Sequence, residues 1–151
     1  PMARSTPVFL AGFPRSGTTL LDTMLMADPD VRVLEEENII TELEAELGGP
    51  EALPAMTEAQ VAEARERYFD RVGKIVDLGP QTRIIDKHPL YLNKIPVIHR
   101  LFPDARFILA LRHPCDVLLS CFIINFRANH GMASFLVLET AAELYDLSFS
   151  Y

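Results

Sequence analysis

Positive charge is scarce in this sequence. Its 14 Lys and Arg stand against 21 Asp and Glu, giving a formal net charge of −7 at pH 7. That balance argues against a general nucleic-acid binder, which needs a basic face, so any anion site must be built locally from a few Arg and Lys. No run approaches the roughly 18 uninterrupted apolar residues of a membrane helix, and the N-terminus lacks the basic, apolar and small-residue regions of a signal peptide. The expectation is a soluble, cytoplasmic protein with no membrane partner. Cysteine is also rare. Cys115 and Cys121 form no C-x-x-C pair and have no neighbouring cluster at metal-ligand spacing, so both read as reduced and structural. His88 and His113 each stand beside a proline without a second ligand at metal spacing, and read as residues that position loops. With 151 residues, 49% of them hydrophobic, residues 1–151 are expected to form one domain that buries about two-thirds of its unfolded surface.

The most informative absence is a single residue. Residues 12–21 read GFPRSGTTLL, in which Gly12 and Gly17 have the spacing of the phosphate-binding loop G-x-x-x-x-G-K-[ST] and Thr19 stands where the hydroxyl belongs. The lysine position holds Thr18. Backbone N–H groups at a glycine-loop helix start can still hold an anion. Without the lysine that reaches the beta and gamma phosphates, ATP or GTP hydrolysis is disfavoured. Arg15 supplies charge from inside the loop, with a planar fork suited to phosphate or sulfate oxygens.

The flanks fit such a loop. Residues 7–11, PVFLA, read as a buried strand, and Thr18 to Ala27 as a helix stopped by Asp28-Pro29. Val31 to Leu34 is a short apolar segment, followed by Glu35-Glu36-Glu37 and a helical stretch to Leu47. Thr57 and Gln60 have capping-box spacing before a helix running to about Val76. Residues 82–86, TRIID, read as a strand; Leu92 to Phe102 as a helix; and Arg106 to Leu111, RFILAL, as the clearest buried strand of the chain. Pro114 opens the next helix, and the segment from Ala133 to Tyr151 is helical. Alternation of strands and helices predicts an α/β fold, a three-layer P-loop-NTPase-like domain with about four parallel strands between helices.

Three further clusters follow strands. Asp86-Lys87-His88-Pro89 leaves the TRIID strand, where Lys87 would face the crevice at the carboxyl ends of the strands. Arg112 ends the RFILAL strand, and Ser120 lies two turns into the following helix, where arginine and hydroxyl can hold one phosphate. Taken alone, Arg112 could equally pair with Asp116. The acids after Leu34 read most simply as a solvated helix start, although a carboxylate there could also accept a proton from a hydroxyl nucleophile.

In combination, GFPRSGTTLL, Asp86-Lys87-His88-Pro89 and LRHPCDVLLSCF resemble the sulfotransferases that use 3′-phosphoadenosine 5′-phosphosulfate (PAPS), in the branch of tyrosylprotein sulfotransferases and bacterial sulfotransferases with tetratricopeptide repeats. The resemblance runs from about Val8 to Tyr145. It implies that Pro14, Arg15, Ser16, Gly17, Thr18 and Thr19 hold the 5′-phosphosulfate, and that Arg112 with Ser120 binds the 3′-phosphate. It further implies that Lys87 and Arg15 stabilise charge on the leaving phosphate and that Glu36 is the base on the acceptor hydroxyl. The donor has no gamma phosphate and the family uses no catalytic metal, so the missing lysine has nothing to reach. The product would be 3′-phosphoadenosine 5′-phosphate (PAP), and the acceptor a small alcohol or phenol, a sugar or a peptide tyrosine.

Two departures bear on that expectation. Leu34 stands where tyrosylprotein sulfotransferases place a glycine before the two acids, so a protein-tyrosine acceptor does not carry over from the resemblance. The family's later R-Y-E-D-L-type strand segment is not in this sequence, which predicts a chain lacking its C-terminal part and a sheet edge prone to self-association. The alternatives are a P-loop nucleotide kinase or NTPase, with Asp86 holding magnesium, and an inactive nucleotide-binding fragment.

Overall fold

The computed structural model describes residues 5–123 and 135–150. Short apolar runs become strands: β1 (Val8–Gly12), β2 (Val31–Glu35), β3 (Arg83–Lys87) and β4 (Arg106–Ala110). They form one parallel sheet in the order β2-β3-β1-β4. The helices between them are α1 (Thr18–Leu25), α2 (Ile39–Glu46), α3 (Glu58–Val72) and α4 (Ile95–Leu101), with short 3₁₀ turns at Pro50–Ala55 and Pro89–Lys94, and α5 (Pro114–Ile123) and α6 (Leu138–Phe149) follow β4. Of the helical segment expected from Ala133, residues 133, 134 and 151 lie outside the described residues.

Strand alternation sorts the core into two faces. Phe9, Ala11, Leu34 and Ile84 face α2, α3 and α4, forming the main core with Ile40, Leu43, Val61, Tyr68 and Ile98. Leu10, Val31, Ile85 and Ala110 face the other way, against Leu21 and Leu25 of α1. Phe13, at the carboxyl end of β1, starts a third cluster with Val117 and Cys121 of α5 and Ala141 of α6. The three-layer α/β arrangement expected from the sequence is therefore present. The capping box also forms: Thr57 Oγ1 accepts from Gln60 N–H at 3.3 Å while Gln60 Oε1 accepts from Thr57 N–H at 2.8 Å.

Several local expectations change. β4 is a sheet edge rather than the most buried strand, with Phe107 38% and Leu109 44% exposed. The Glu35–Glu37 segment does not begin a helix: Glu35 ends β2, Glu36 turns the chain with φ 55°, and α2 starts only at Ile39. α3 stops at Val72, short of Val76. The single helix expected over Leu92 to Phe102 divides into the 3₁₀ turn and α4, with Pro96 in the first turn of α4. On α1 the face also differs from the apolar pattern, because Thr18 and Asp22 are buried while Leu20 and Met24 are exposed.

Candidate active site

The loop at the end of β1 is shaped by its backbone. Ser16 N–H returns to Phe13 C=O at 3.1 Å, Arg15 has φ 70°, and Gly17 caps α1 with φ 98°, a conformation that glycine adopts without a Cβ penalty. Among the described residues no side chain caps α1, and its first residues, Thr18 and Thr19, line the cleft at the positive end of the helix dipole. Beside them the Ser16 hydroxyl is buried without a hydrogen-bond partner among the described residues. An orphaned hydroxyl, an uncapped helix start and nearby guanidinium groups suit a phosphate or sulfate group.

Gly12 has a different role. A Cβ there would lie 2.6 Å from Ser16 Oγ and 2.8 Å from the Ala110 backbone oxygen, so only a hydrogen lets the loop return across β4. Gly12→Ala is expected to destabilise the fold by about 1–3 kcal/mol, as overpacking does, and to displace Ser16. Urea denaturation and anion titration on the same sample check both effects.

A cleft of about 370 Å³ opens over this loop. Pro14, Arg15, Gly17, Thr18 and Thr19 form one wall, Glu36 and the His88–Leu90 turn another, and Arg112 closes the side. Arg112 Nη1 donates to Arg15 C=O at 3.3 Å, and Arg15 Nε donates to Ser120 Oγ at 3.2 Å. The loop, the segment after β4 and the middle of α5 thus meet through two arginines and a hydroxyl. In this structure Ser120 is engaged by Arg15 rather than by Arg112, and Arg112 also keeps a loose ionic contact with Asp116 at 3.9 Å.

Alternation along β3 separates two neighbours that the sequence presents as one cluster. Asp86 lies on the α3 face, fully buried, where Tyr68 Oη donates to Oδ2 at 2.8 Å and Tyr91 Oη lies 3.1 Å from Oδ1. Its carboxylate faces away from the loop, so the magnesium-holding role considered for Asp86 lacks the geometry it needs. Burial pushes the Asp86 carboxyl up to about 7, against the pull of the two tyrosine hydrogen bonds.

Lys87 points to the opposite face, with a side chain 3% exposed. Its Nζ lies 3.0 Å from Asp22 Oδ2, 3.6 Å from Glu35 Oε1 and 3.8 Å from Glu36 Oε1. The Asp22 contact is an ion pair that does not form a hydrogen bond to Oδ2. Lys87 is therefore not a surface lysine. It is a buried cation held against α1, with its charge reaching Glu35 and the cleft-lining Glu36. Glu36 is accessible, its side chain 59% exposed, and its backbone N–H donates to Lys87 C=O at 2.8 Å.

Asp22, Tyr68 and Tyr91 belong to the surroundings of this site but carry no motif that marks them in the sequence. An acid one turn beyond Thr18 on a sheet-packed helix was the available signal for Asp22. His88 sits on the cleft wall with its ring stacked on Tyr91, centroids 4.9 Å apart, and its Nδ1 accepts from Leu90 N–H at 3.3 Å. Burial lowers its pKa from the ordinary histidine value. Under the loop, Cys121 Sγ–H contacts Pro14 C=O at 3.4 Å, and burial raises its thiol to about 11, consistent with a structural cysteine.

The family model of the sulfotransferase family matches residues 7–149. This chain belongs to the sulfotransferase family. Protein-tyrosine sulfotransferase 1 of Danio rerio is 33% identical over 115 residues, which cover 70% of this chain and 32% of that protein. The nodulation protein NoeE of Sinorhizobium fredii is 31% identical over 127 residues, covering 74% of this chain and 30% of NoeE. An uncharacterized protein of Aquifex aeolicus is 33% identical over 141 residues but matches only 18% of its own length. The chain thus spans about a third or less of these curated relatives. The sulfotransferase domain of the Synechococcus PCC 7002 olefin synthase superposes with a TM-score of 0.58 at 21% identity, covering 98% of this chain and 61% of that one. The likeness establishes the shared P-loop-NTPase-like fold. No helix among the described residues is long and apolar enough to cross a membrane.

Proposed function

We propose that this chain carries the donor cleft and the reacting groups of a sulfotransferase that moves a sulfuryl group from PAPS to a hydroxyl acceptor. The observation that carries this reading is the approach of one accessible acid, Glu36, to a buried cation, Lys87, beside an uncapped helix start that no P-loop lysine occupies. The relatives named protein-tyrosine sulfotransferase support a hydroxyl acceptor, with peptide tyrosine as one candidate beside a small alcohol, a phenol or a sugar.

Pro14, Arg15, Ser16, Gly17, Thr18 and Thr19 would hold the 5′-phosphosulfate, and Arg112 with Ser120 the 3′-phosphate. When bound, the donor supplies the sulfuryl group, whose bond to the 5′-phosphate breaks as the acceptor oxygen bonds to sulfur. Glu36 takes the acceptor proton, for which its exposed position at the cleft wall gives access. Arg15 and Lys87 meet the negative charge that develops on the leaving phosphate oxygens. That assignment explains why Lys87 is buried: a cation fixed by Asp22 needs no reorganisation during transfer. The chemistry assigns no role to a metal ion.

Calorimetric titration with PAP, beside ADP and Mg-ATP, tests the reading. PAP is expected to bind best, and Arg112→Ala to weaken it about 10- to 100-fold, the loss of a charge-assisted hydrogen bond of about 1.5–3 kcal/mol. Preference for Mg-ATP would overturn the reading in favour of a nucleotide kinase or NTPase. PAP binding without turnover on any hydroxyl acceptor would leave a nucleotide-binding fragment.

A further inference from the structure

Asp86, Tyr68 and Tyr91 take no part in the transfer as proposed, yet they lie directly behind the turn that presents Glu36. Tyr91 Oη is 3.1 Å from Asp86 Oδ1 and 3.2 Å from the backbone oxygen of Glu37, and Tyr68 Oη is 2.8 Å from Asp86 Oδ2. Each phenol has one hydrogen to give. When Asp86 is ionised, Tyr68 donates to one carboxylate oxygen and Tyr91 to the other, leaving nothing from Tyr91 for the Glu37 carbonyl. When Asp86 carries a proton on Oδ1, that proton goes to Tyr91 Oη and the Tyr91 hydrogen turns to Glu37 C=O. One proton therefore decides whether the Glu37 carbonyl is held.

That carbonyl matters because of the residue before it. Glu36 has φ 55°, a left-handed conformation that a non-glycine residue keeps only where its surroundings impose it. The Glu36 N–H bond to Lys87 C=O fixes one side of the turn, and Tyr91 fixes the other. We propose that Asp86 and Tyr91 form a proton-dependent latch on the Glu36 turn, closed when Asp86 is protonated and released when it is ionised. Both are positioning residues that act through the backbone of Glu37, and the effect on transfer rests on the reading of Glu36 as the proton acceptor.

The groups facing Asp86 are few. Tyr68 comes from α3, Tyr91 from the 3₁₀ turn, and Glu37 from the segment after β2; His88 stacks on the Tyr91 ring, and Lys87 is on the other face of the sheet. Burial raises Asp86 and the Glu37 charge adds to the rise, bringing its proton exchange to about 7. Burial also raises both tyrosine hydroxyls, so they remain donors through that range.

The test follows the backbone amide resonances of Glu36, Glu37 and Asn38 in the ¹⁵N-labelled chain between about pH 5.5 and 8.5, with PAP calorimetry on the same samples. The wild type is expected to titrate at these amides with a midpoint near 7. Tyr91→Phe, which keeps the ring and loses the hydroxyl, removes that transition. Asp86→Asn, whose amide donates to Tyr91 at every pH, also removes it. In turnover, Tyr91→Phe lowers kcat about tenfold with PAP affinity unchanged, and Asp86→Asn abolishes the alkaline fall of kcat. A transition at these amides that survives Tyr91→Phe does not pass through the Tyr91 hydroxyl and overturns the latch, as does its absence from the wild type. Should Asp86→Asn fail to fold, Tyr91→Phe decides alone. The amide titration without PAP binding would sink the sulfotransferase reading and leave the latch standing.

Discussion

Lys87→Ala is expected to lose turnover by about 10²–10³-fold and stability by about 3–5 kcal/mol, through two separable causes. The stability loss comes from Asp22. Its carboxylate is fully buried on α1, and Lys87 Nζ at 3.0 Å is its counter-charge. Removing the cation leaves a buried charge uncompensated, which costs far more than the pair contributes when intact. The catalytic loss comes from charge on the departing phosphate, for which the analogy is a missing oxyanion donor, about 2.7–4 kcal/mol of transition-state stabilisation. Asp22→Asn combined with Lys87→Ala separates the two. The double variant is expected to recover most of the denaturation midpoint and none of the turnover. Recovery of turnover along with stability would reduce Lys87 to a structural ion pair, and unchanged turnover in a folded Lys87→Ala would remove it from the mechanism.

The parts of this site that depend on local rules were legible before the fold was known. Gly12 and Gly17 report their loop through spacing, Thr57 and Gln60 their cap through a three-residue offset, and Pro114 its helix start. Long-range pairing was not legible in the same way. RFILAL reads as buried because both its faces are apolar, but an apolar run does not say how many strands flank it, and β4 lies at the edge. The acids after Leu34 satisfy a helix-start pattern, yet the strand continues through Glu35 because β2 stays in register with β3 as far as Lys87. The turn at Glu36 is then imposed by the Lys87 carbonyl on another strand, which no local propensity encodes. Asp86 is a different kind of miss. The two-residue period of a strand already required Asp86 and Lys87 to face opposite ways, so treating them as one cluster overlooked a rule available in the sequence.

Asp86 carries the second large effect, on stability against pH. Its folded-state pKa of about 7 stands above the 3.8 of an unburied aspartate, so the folded chain holds a proton that the unfolded chain releases. A raised acid contributes stability that is fully present below about pH 4 and is lost as pH rises through about 7. Between pH 5 and pH 8 the wild type is therefore expected to lose about 2–3 kcal/mol from this group, at 1.36 kcal/mol per pH unit over the part of the window that lies below 7. Asp86→Asn has no proton to lose, so its unfolding free energy, measured in urea at both pH values, should gain that amount relative to the wild type. Glu46, lowered by its hydrogen bond to Arg71, acts with the opposite sign and at lower pH, where its contribution fades as pH falls, so it leaves the 5–8 window undisturbed. Tyr68→Phe provides an internal check on the cause. The Tyr68 hydrogen bond lowers the Asp86 pKa against burial, so removing the hydroxyl should move the loss of stability to higher pH. A slope shared by wild type and Asp86→Asn would place the titrating group elsewhere, while a slope that disappears with Asp86 and moves upward with Tyr68→Phe would fix it on this carboxyl behind the Glu36 turn.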